Sequence, residues 1–334
     1  MSSPQPAIVE LPRPRPLRNP TNYCFINAPV MATFGVPAFR HALRELWSST
    51  PGPLRTLLWD IMCSERSDRS RPRETAPGSC SNERRLAAIF RYALQGQPGV
   101  PFDARLLLDR LYHGNQEDAE EFVRQGLLGA LDASHPIADN MVMGALCMGR
   151  QQWSTRCAAC GLEMLSGRPE VFNTLQLSVL RPDGRTCVRS VQEALAAHLE
   201  PSLVQDPDYR FECDSCASHA LPWRFCKITH SPSVLVLQFK RWLPSDLNAP
   251  LTAVLPPADH VDLQGTRYRL ASFVCHVGAS IQHGHYTACI RYPTSDVEWW
   301  LYNDAVTRAA TPAELHTSEA SKLYLAFYER LDVP

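Results

Sequence analysis

The stretch Asn19-Pro20-Thr21-Asn22-Tyr23-Cys24-Phe25-Ile26-Asn27 places a cysteine directly before an apolar segment. The segment from Phe25 to Thr33 predicts a helix with Cys24 at its N-terminal end. The positive end of the helix dipole at that position favours a negatively charged sulfur. Pro29 is compatible with this helix only in its first turn or just beyond it.

The chemical partners expected for Cys24 lie near the other end of the chain. Gly284-His285-Tyr286 carries an imidazole, and Trp300-Leu301-Tyr302-Asn303-Asp304 carries a side-chain amide. A thiol, an imidazole and an amide are the nucleophile, base and orienter of a cysteine protease. Such partners meet in the fold rather than along the chain. Alone the trio is weak evidence, because the chain contains 12 Cys and 11 His.

Two Cys-x-x-Cys pairs, Cys157/Cys160 and Cys213/Cys216, indicate a metal site. Each pair can present two thiolates to one ion, and four such ligands form a closed, structural zinc site. Four unliganded thiols or a redox pair are the alternatives. No cofactor is expected for the catalytic chemistry itself.

Composition limits the class of partner. The net charge of −1 gives no support for nucleic acid or an anionic membrane as the main partner. No apolar run approaches the roughly 20 residues that span a bilayer, so no membrane insertion is expected. Residues 1–16 are rich in proline and predict a flexible lead-in without a secretory signal. The cysteines then indicate a reducing intracellular compartment, cytoplasmic or nuclear.

The chain divides into two regions of different pattern. Residues 17–135 read as mostly helical, with amphipathic helices over 38–47 and 53–62 and a loop over 64–81. Asn115, followed by acidic residues, predicts a further helix start.

Residues 150–334 read as a largely antiparallel sheet with one helix, Val191 to His198. Residues 243–265 predict a connecting loop. The result is an α+β fold, taken as one domain over 17–334 with a cleft between its two lobes. The predicted strands are Leu175 to Leu180, Val234 to Phe239, Arg269 to His276, Tyr286 to Tyr292, Trp299 to Tyr302 and Lys322 to Tyr328.

Five segments resemble the ubiquitin-specific proteases, in the order that family uses. The resemblance covers about residues 17–330 and implies a papain-like cysteine protease fold. Its parts would be a helical thumb lobe, an antiparallel-sheet palm and zinc-ribbon fingers carrying residues 157–160 and 213–216. The five segments are the stretch around Cys24, Gln116 to Phe122, Leu235 to Trp242, Gly284 to Tyr286 and Tyr324 to Arg330.

The resemblance implies a role for each catalytic position. Cys24 would be the nucleophile, His285 the base and Asn19 the oxyanion donor, with a turn-forming role as the alternative for Asn19. Asn303 would orient the imidazole, and the adjacent Asp304 could share or assume that task. Strand alternation predicts that Asn303 and Asp304 face opposite sides, so that only one of them acts. His276 and His283 are nearby rivals of His285.

Substrate contacts are implied at Asp118, Gln116, Tyr286 and Trp242. Asp118 would pair with an arginine in the C-terminal tail of ubiquitin, and a helix cap explains it equally well. Packing within the sheet explains Tyr286 and Trp242 equally well.

The implied activity is that of a thiol-dependent deubiquitinase, which cleaves (iso)peptide bonds at the C-terminal glycine of ubiquitin. The implied partners are ubiquitin and ubiquitylated proteins. A ubiquitin-binding pseudoenzyme or scaffold, or a protease for another ubiquitin-like modifier, is the alternative. Thr21 stands where the family has glycine and Tyr23 where it has threonine, which puts the oxyanion geometry in question.

Overall fold

A computed structural model describes most of the chain. The segments outside it include residues 1–13, the loop predicted over 64–81, most of the helix predicted over 53–62, and Asn115 with Gln116. The described residues are 14–19, 22–53, 55–56, 82–95, 117–128, 142–181, 183–204, 211–243, 246–251, 253–280, 283–292, 298–317 and 322–331.

Helices dominate the described residues of the first part of the chain, as predicted. Helix α1 is buried along its whole length, whereas α2 buries Phe39, Ala42, Leu43 and Leu46 at the spacing of one helical face. The helices are α1 (Cys24–Gly35), α2 (Pro37–Ser49), α3 (Asn82–Gln95), α4 (Ala119–Glu121), which continues as a π-helical turn (Phe122–Leu127), α5 (Val142–Cys147), α6 (Val191–Leu199) and α7 (Pro312–Thr317).

The strands form two main sheets. Their bounds are β1 (Gly149–Arg156), β2 (Glu163–Phe172), β3 (Leu175–Ser178), β4 (Ser202–Leu203), β5 (Trp223–His230), β6 (Val234–Lys240), β7 (Trp242–Leu243), β8 (Asp246–Pro250), β9 (His260–Leu263), β10 (Thr266–Ser280), β11 (His283–Arg291), β12 (Trp299–Asn303), β13 (Val306–Ala310) and β14 (Leu323–Arg330). Among the described residues the larger sheet has the order β13-β12-β11-β10-β14-β6-β3, with β9 also paired to β10. The smaller sheet has the order β2-β1-β5-β4, and β7 pairs with β8.

The predicted α+β class is confirmed, and each predicted strand falls on an observed one. The prediction of a loop over 243–265 is wrong. Residues 246–250 pair with β7, and β9 places Val261 and Leu263 in the core while its other residues face outward. The alternation of exposed and buried residues in β9 covers only four residues, and the surrounding prolines and aspartates made it hard to recognise in the sequence. The short helix α7 is a second helix in the sheet-rich part.

Helix α1 packs directly against β10 and β11 of the larger sheet. The Ser272 hydroxyl donates a 2.7 Å hydrogen bond to the carbonyl oxygen of Ala32. Gly35 permits this close approach, because a Cβ there would lie 2.8 Å from the Cβ of Ser272 and 2.9 Å from that of Ile290. The helix that carries Cys24 is therefore seated on the strands that lead to His285.

We expect Gly35→Ala to lower the free energy of unfolding by about 1–3 kcal/mol, because the added methyl group overpacks the contact between helix and sheet. Gly52→Ala is the matched control, since a Cβ at Gly52 meets nothing within 4 Å. Urea denaturation of both variants measures the difference. Equal stability of the two variants would contradict the role assigned to Gly35.

Candidate active site and metal site

The fold brings Cys24 and His285 into contact. Cys24 is the first residue of α1 and is 3% exposed, and His285 lies on β11. A hydrogen bond with the Cys24 thiol is the largest contribution that raises the pKa of His285 to about 9. Partial burial of the ring lowers this pKa, while Asn303 and Asp304 raise it. The imidazole beside the sulfur is therefore mainly protonated near neutral pH.

The other side of the imidazole is held by Asn303. His285 Nε2 lies 2.7 Å from Asn303 Oδ1. Because Oδ1 is an acceptor, this hydrogen bond assigns a proton to Nε2 and leaves Nδ1 for the sulfur. Asn303 is thus placed to fix the tautomer and the orientation of the ring.

Asp304 lies on the same side as Asn303, so the prediction that the two residues face opposite sides is wrong. Asp304 is not part of β12 but follows it in a turn, with a φ of +49°. This left-handed backbone brings Asp304 Oδ2 to 3.8 Å from His285 Nε2, beyond hydrogen-bond distance. Strand alternation does not apply once the chain has left the strand.

The Asp304 carboxylate instead accepts two amide hydrogen bonds. Asn19 Nδ2 donates to its Oδ2 at 2.9 Å, and Asn27 Nδ2 donates to its Oδ1 at 2.9 Å. Asn19 Oδ1 also accepts from the backbone N–H of Tyr23 at 2.8 Å. Asn19 is therefore held beside the helix end that carries Cys24.

Asn27 is a site residue that the sequence analysis did not single out. It is 3% exposed and lies one helical turn after Cys24. The available signal was its spacing, since residues three apart on a helix share a face. Its partner Asp304 is 277 residues away in sequence, and no local pattern points to that pairing.

Asp118 caps α4, as its alternative explanation predicted. Its Oδ1 accepts from the backbone N–H of Glu120 at 2.7 Å. Both carboxylate oxygens lie 2.7 Å from the Tyr324 hydroxyl, which donates to them, and that hydroxyl accepts from Gln238 Nε2 at 2.9 Å. Burial raises the pKa of Asp118, and the bond from Tyr324 opposes this increase. Tyr324 is a second residue that the sequence analysis missed.

An aromatic cluster surrounds this carboxylate. The His276 ring centroid lies 4.4 Å from that of Tyr286 and 5.1 Å from that of Trp242, and the Tyr286 and Tyr324 centroids are 5.8 Å apart. Burial lowers the pKa of His276 to about 4, so this ring is neutral. His276 therefore packs rather than meeting Cys24. His283 lies 3.3 Å from the Ser280 hydroxyl.

A polar groove of about 700 Å³ opens beside these elements. Its lining includes Arg124 of the π-helical turn, Gln151 and Phe172 of the smaller sheet, His198 of α6 and Lys240 at the end of β6.

The two Cys-x-x-Cys pairs meet, as the spacing predicted. The four Sγ atoms lie within 4.8 Å of one another, with Cys157 to Cys216 at 3.8 Å and Cys160 to Cys213 at 3.6 Å. A tetrahedral ion with 2.3 Å bonds to sulfur places its ligands about 3.8 Å apart, so the cluster fits zinc. The described cysteines are all free thiols, which is consistent with this use.

The two pairs lie in two separate backbone turns of the same type. Gly161 N–H donates to the Cys157 carbonyl at 3.0 Å, and Ala217 N–H donates to the Cys213 carbonyl at 2.8 Å. Both residues that follow the second cysteine have a positive φ, 76° at Gly161 and 50° at Ala217. Each turn points two sulfurs toward the same centre.

The sequence profile of ubiquitin carboxyl-terminal hydrolases matches residues 15–328. The chain belongs to this family. Ubiquitin carboxyl-terminal hydrolase 25 of Arabidopsis thaliana is 24% identical over 344 residues, which cover 95% of this chain and 47% of that protein. Ubiquitin carboxyl-terminal hydrolase 36 of Drosophila melanogaster is 23% identical and is covered over 29% of its length, against 93% of this chain. The chain thus spans less than half of these relatives.

Solved structures show the same fold. The SAGA DUB module of Ubp8, Sgf11, Sus1 and Sgf73 bound to monoubiquitin matches with a TM-score of 0.69 at 19% identity, over 96% of this chain and 70% of that one. The same module bound to ubiquitin aldehyde matches with a TM-score of 0.68 at 18% identity, over 99% and 72%. The predicted papain-like fold with thumb, palm and fingers is confirmed. In this chain the fingers are the sheet of β1, β2, β4 and β5, the palm is the larger sheet, and the thumb is the helical part.

No helix among the described residues is both long enough and apolar enough to cross a membrane. Gln116, the remaining predicted substrate contact, lies outside the described residues.

We expect Cys24→Ala to lower the pKa of His285 from about 9 toward its ordinary value of 6.5, because the largest cause of the increase is removed. Because the pKa of His285 is higher in the folded protein, protonation of this ring stabilises the fold fully below pH about 6.5. This stabilisation disappears as the pH rises through about 9. NMR titration of the ring measures the change. Cys187→Ala is the control, and an unchanged midpoint in Cys24→Ala would contradict the contact.

Proposed function

We propose that this protein is a thiol-dependent deubiquitinase, which hydrolyses peptide and isopeptide bonds at the C-terminal glycine of ubiquitin. The observation that carries the proposal is the His285 ring, which bridges the Cys24 thiol and the Asn303 carboxamide. Membership of the family supports the same reaction. Proton transfer and nucleophilic attack both need the imidazole and the sulfur within hydrogen-bond reach.

The first half of the reaction forms a thioester. Cys24, as a thiolate beside the His285 imidazolium, attacks the glycine carbonyl, and the carbonyl oxygen takes the negative charge. The carboxamide of Asn19 has two N–H groups, and one of them is bonded to Asp304. The other is available for the oxyanion, a contact worth roughly 3–4 kcal/mol in comparable enzymes. His285 then donates its proton to the leaving amine.

The second half releases the sulfur of Cys24 from the acyl group. Neutral His285 removes a proton from water, and the resulting hydroxide attacks the thioester carbonyl. The carbon–sulfur bond breaks, and the imidazolium and thiolate pair is restored. Asn303 holds the imidazole through both halves, because Nε2 stays bonded to Oδ1 while Nδ1 exchanges protons.

Substrate recognition is proposed at the aromatic cluster. Asp118 would pair with an arginine of the ubiquitin tail, with Tyr286 and Trp242 lining the channel, and Gln116 would be a further substrate contact. Tyr324 anchors the Asp118 carboxylate for this purpose. The polar groove beside the fingers would receive part of the folded body of ubiquitin. The solved relatives bound to monoubiquitin and to ubiquitin aldehyde support this partner.

A structural zinc ion is proposed at Cys157, Cys160, Cys213 and Cys216. The ion would tie the turn after β1 to the segment before β5 and would take no part in the reaction. Residues 17–334 would form one catalytic domain, in keeping with the continuous family match over residues 15–328. Free thiols favour the cytoplasm or the nucleus as its location.

Ubiquitin carrying a C-terminal electrophile should form a covalent adduct with the protein, because the thiolate attacks at the position of the scissile carbonyl. Cys24→Ala should abolish the adduct, and Cys187→Ala should retain it. Intact-mass measurement reads the result. Binding without an adduct would instead support a ubiquitin-binding scaffold, and an adduct formed only with another ubiquitin-like modifier would change the substrate.

Purified protein should contain about one zinc ion per chain, as a closed four-cysteine site requires. Cys213→Ser should lose the ion and lower the melting temperature, because one of the four ligands is removed. Elemental analysis and thermal denaturation measure both effects, with Cys187→Ser as the control. Metal-free protein of full stability would contradict the site.

A further inference from the structure

The carboxylate of Asp304 is the point where three segments of the site converge. Its two oxygens are taken by different amides, Oδ2 by Asn19 and Oδ1 by Asn27. Asn27 Nδ2 also donates to the carbonyl oxygen of Arg18 at 3.0 Å. The buried side chain of Asn27 thus links helix α1 to the segment before it, through Arg18, and to the turn after β12, through Asp304.

We propose that Asn27 is a positioning residue, which fixes the Asp304 carboxylate so that Asp304 orients Asn19 while Asn303 alone orients His285. The inference deepens the proposed function and rests on it. Asn27 acts through Asp304 and touches no reacting atom.

The orientation of the Asn27 amide is determined by its surroundings. Both hydrogen bonds start from Nδ2, and both partners are acceptors, a carbonyl oxygen and a carboxylate oxygen. Rotating the amide by half a turn would place its own oxygen against them, which leaves two acceptors facing a third. The residue is 3% exposed, so water cannot readily replace a lost bond.

Two distances show why the orientation of the Asp304 carboxylate decides whether it bonds to Asn19 or to His285. Asp304 Oδ2 lies 3.8 Å from His285 Nε2 and 2.9 Å from Asn19 Nδ2. A small rotation of the carboxylate would therefore exchange its bond with Asn19 for a bond with the imidazole. The bond from Asn27 to Oδ1 prevents that rotation. Without it, Asn19 keeps only the hydrogen bond from the Tyr23 backbone N–H among the described contacts, and Asp304 no longer fixes the direction of its Nδ2 group.

Two ubiquitin probes separate this role from a structural one. With ubiquitin aldehyde the thiol adds to the carbonyl, and the new oxygen occupies the oxyanion position. With a C-terminal alkyne the sulfur bonds to carbon, one π bond breaks, and the imidazolium proton passes to the neighbouring carbon. No oxygen gains charge in the second reaction, so an oxyanion donor does not assist it.

We expect Asn27→Ala to lower kcat on a ubiquitin amide substrate by on the order of tenfold to a hundredfold, with KM unchanged. This loss stays below the roughly hundredfold to thousandfold effect of deleting an oxyanion donor outright. Affinity for ubiquitin aldehyde should fall in parallel, while the rate of alkyne capture stays within about twofold. Asn27→Asp should be more severe at neutral pH than at acidic pH, because it places a second carboxylate against Asp304.

Thr33→Ala is the matched control, since it removes a buried hydroxyl of the same helix that bonds only to Val30 among the described contacts. It should alter stability and leave kcat unchanged. Equal loss of alkyne capture and hydrolysis in a folded Asn27→Ala protein would overturn the inference, as would unchanged kcat. Wild type that reacts with neither probe would contradict the proposed function instead.

Discussion

The seating of helix α1 on strands β10 and β11 is the constraint on which the site depends. The helix places Cys24 at its N-terminal end, and the strand pairing places His285 opposite Val277. Neither position is adjustable by side-chain rotation alone, because each is fixed by backbone hydrogen bonds. The contact of sulfur and imidazole, and the raised pKa of His285, follow from that packing. The core thus fixes where Cys24 and His285 stand, and the side-chain hydrogen bonds of Asn303 and Asp304 fix the orientation of the groups around them.

The sequence predicted those parts of the molecule that local patterns encode. Helix α2 and strands β6, β11 and β14 follow from periodicity, and Cys24, His285 and the four cysteines follow from their immediate neighbours. The fingers strands were not predicted, because β2 exposes most of its residues and buries only Phe172. Contacts between distant residues that no recognised motif carries were not predicted. Asp118 with Tyr324 spans 206 positions, and the role of Asp304 depends on one positive φ.

The fingers illustrate how a chain stabilises a region with little apolar core. The β2 side of the small sheet offers few buried side chains, so packing alone supplies limited stability there. The paired cysteine turns converge on one centre, where the proposed zinc ion would compensate. The two turns have the same form, although the residue after the second cysteine is glycine in one and alanine in the other. Ala217 carries the cost of a left-handed backbone that Gly161 avoids.

The bond between Asn19 and Asp304 joins residues 285 positions apart. A ribosome adding about 5–20 residues per second needs roughly 15–60 seconds to synthesise that interval. During this time the emerging polypeptide already contains Cys24 but still lacks His285 and Asp304. The proposed activity would therefore be deferred until translation has passed Asp304, the residue that follows β12.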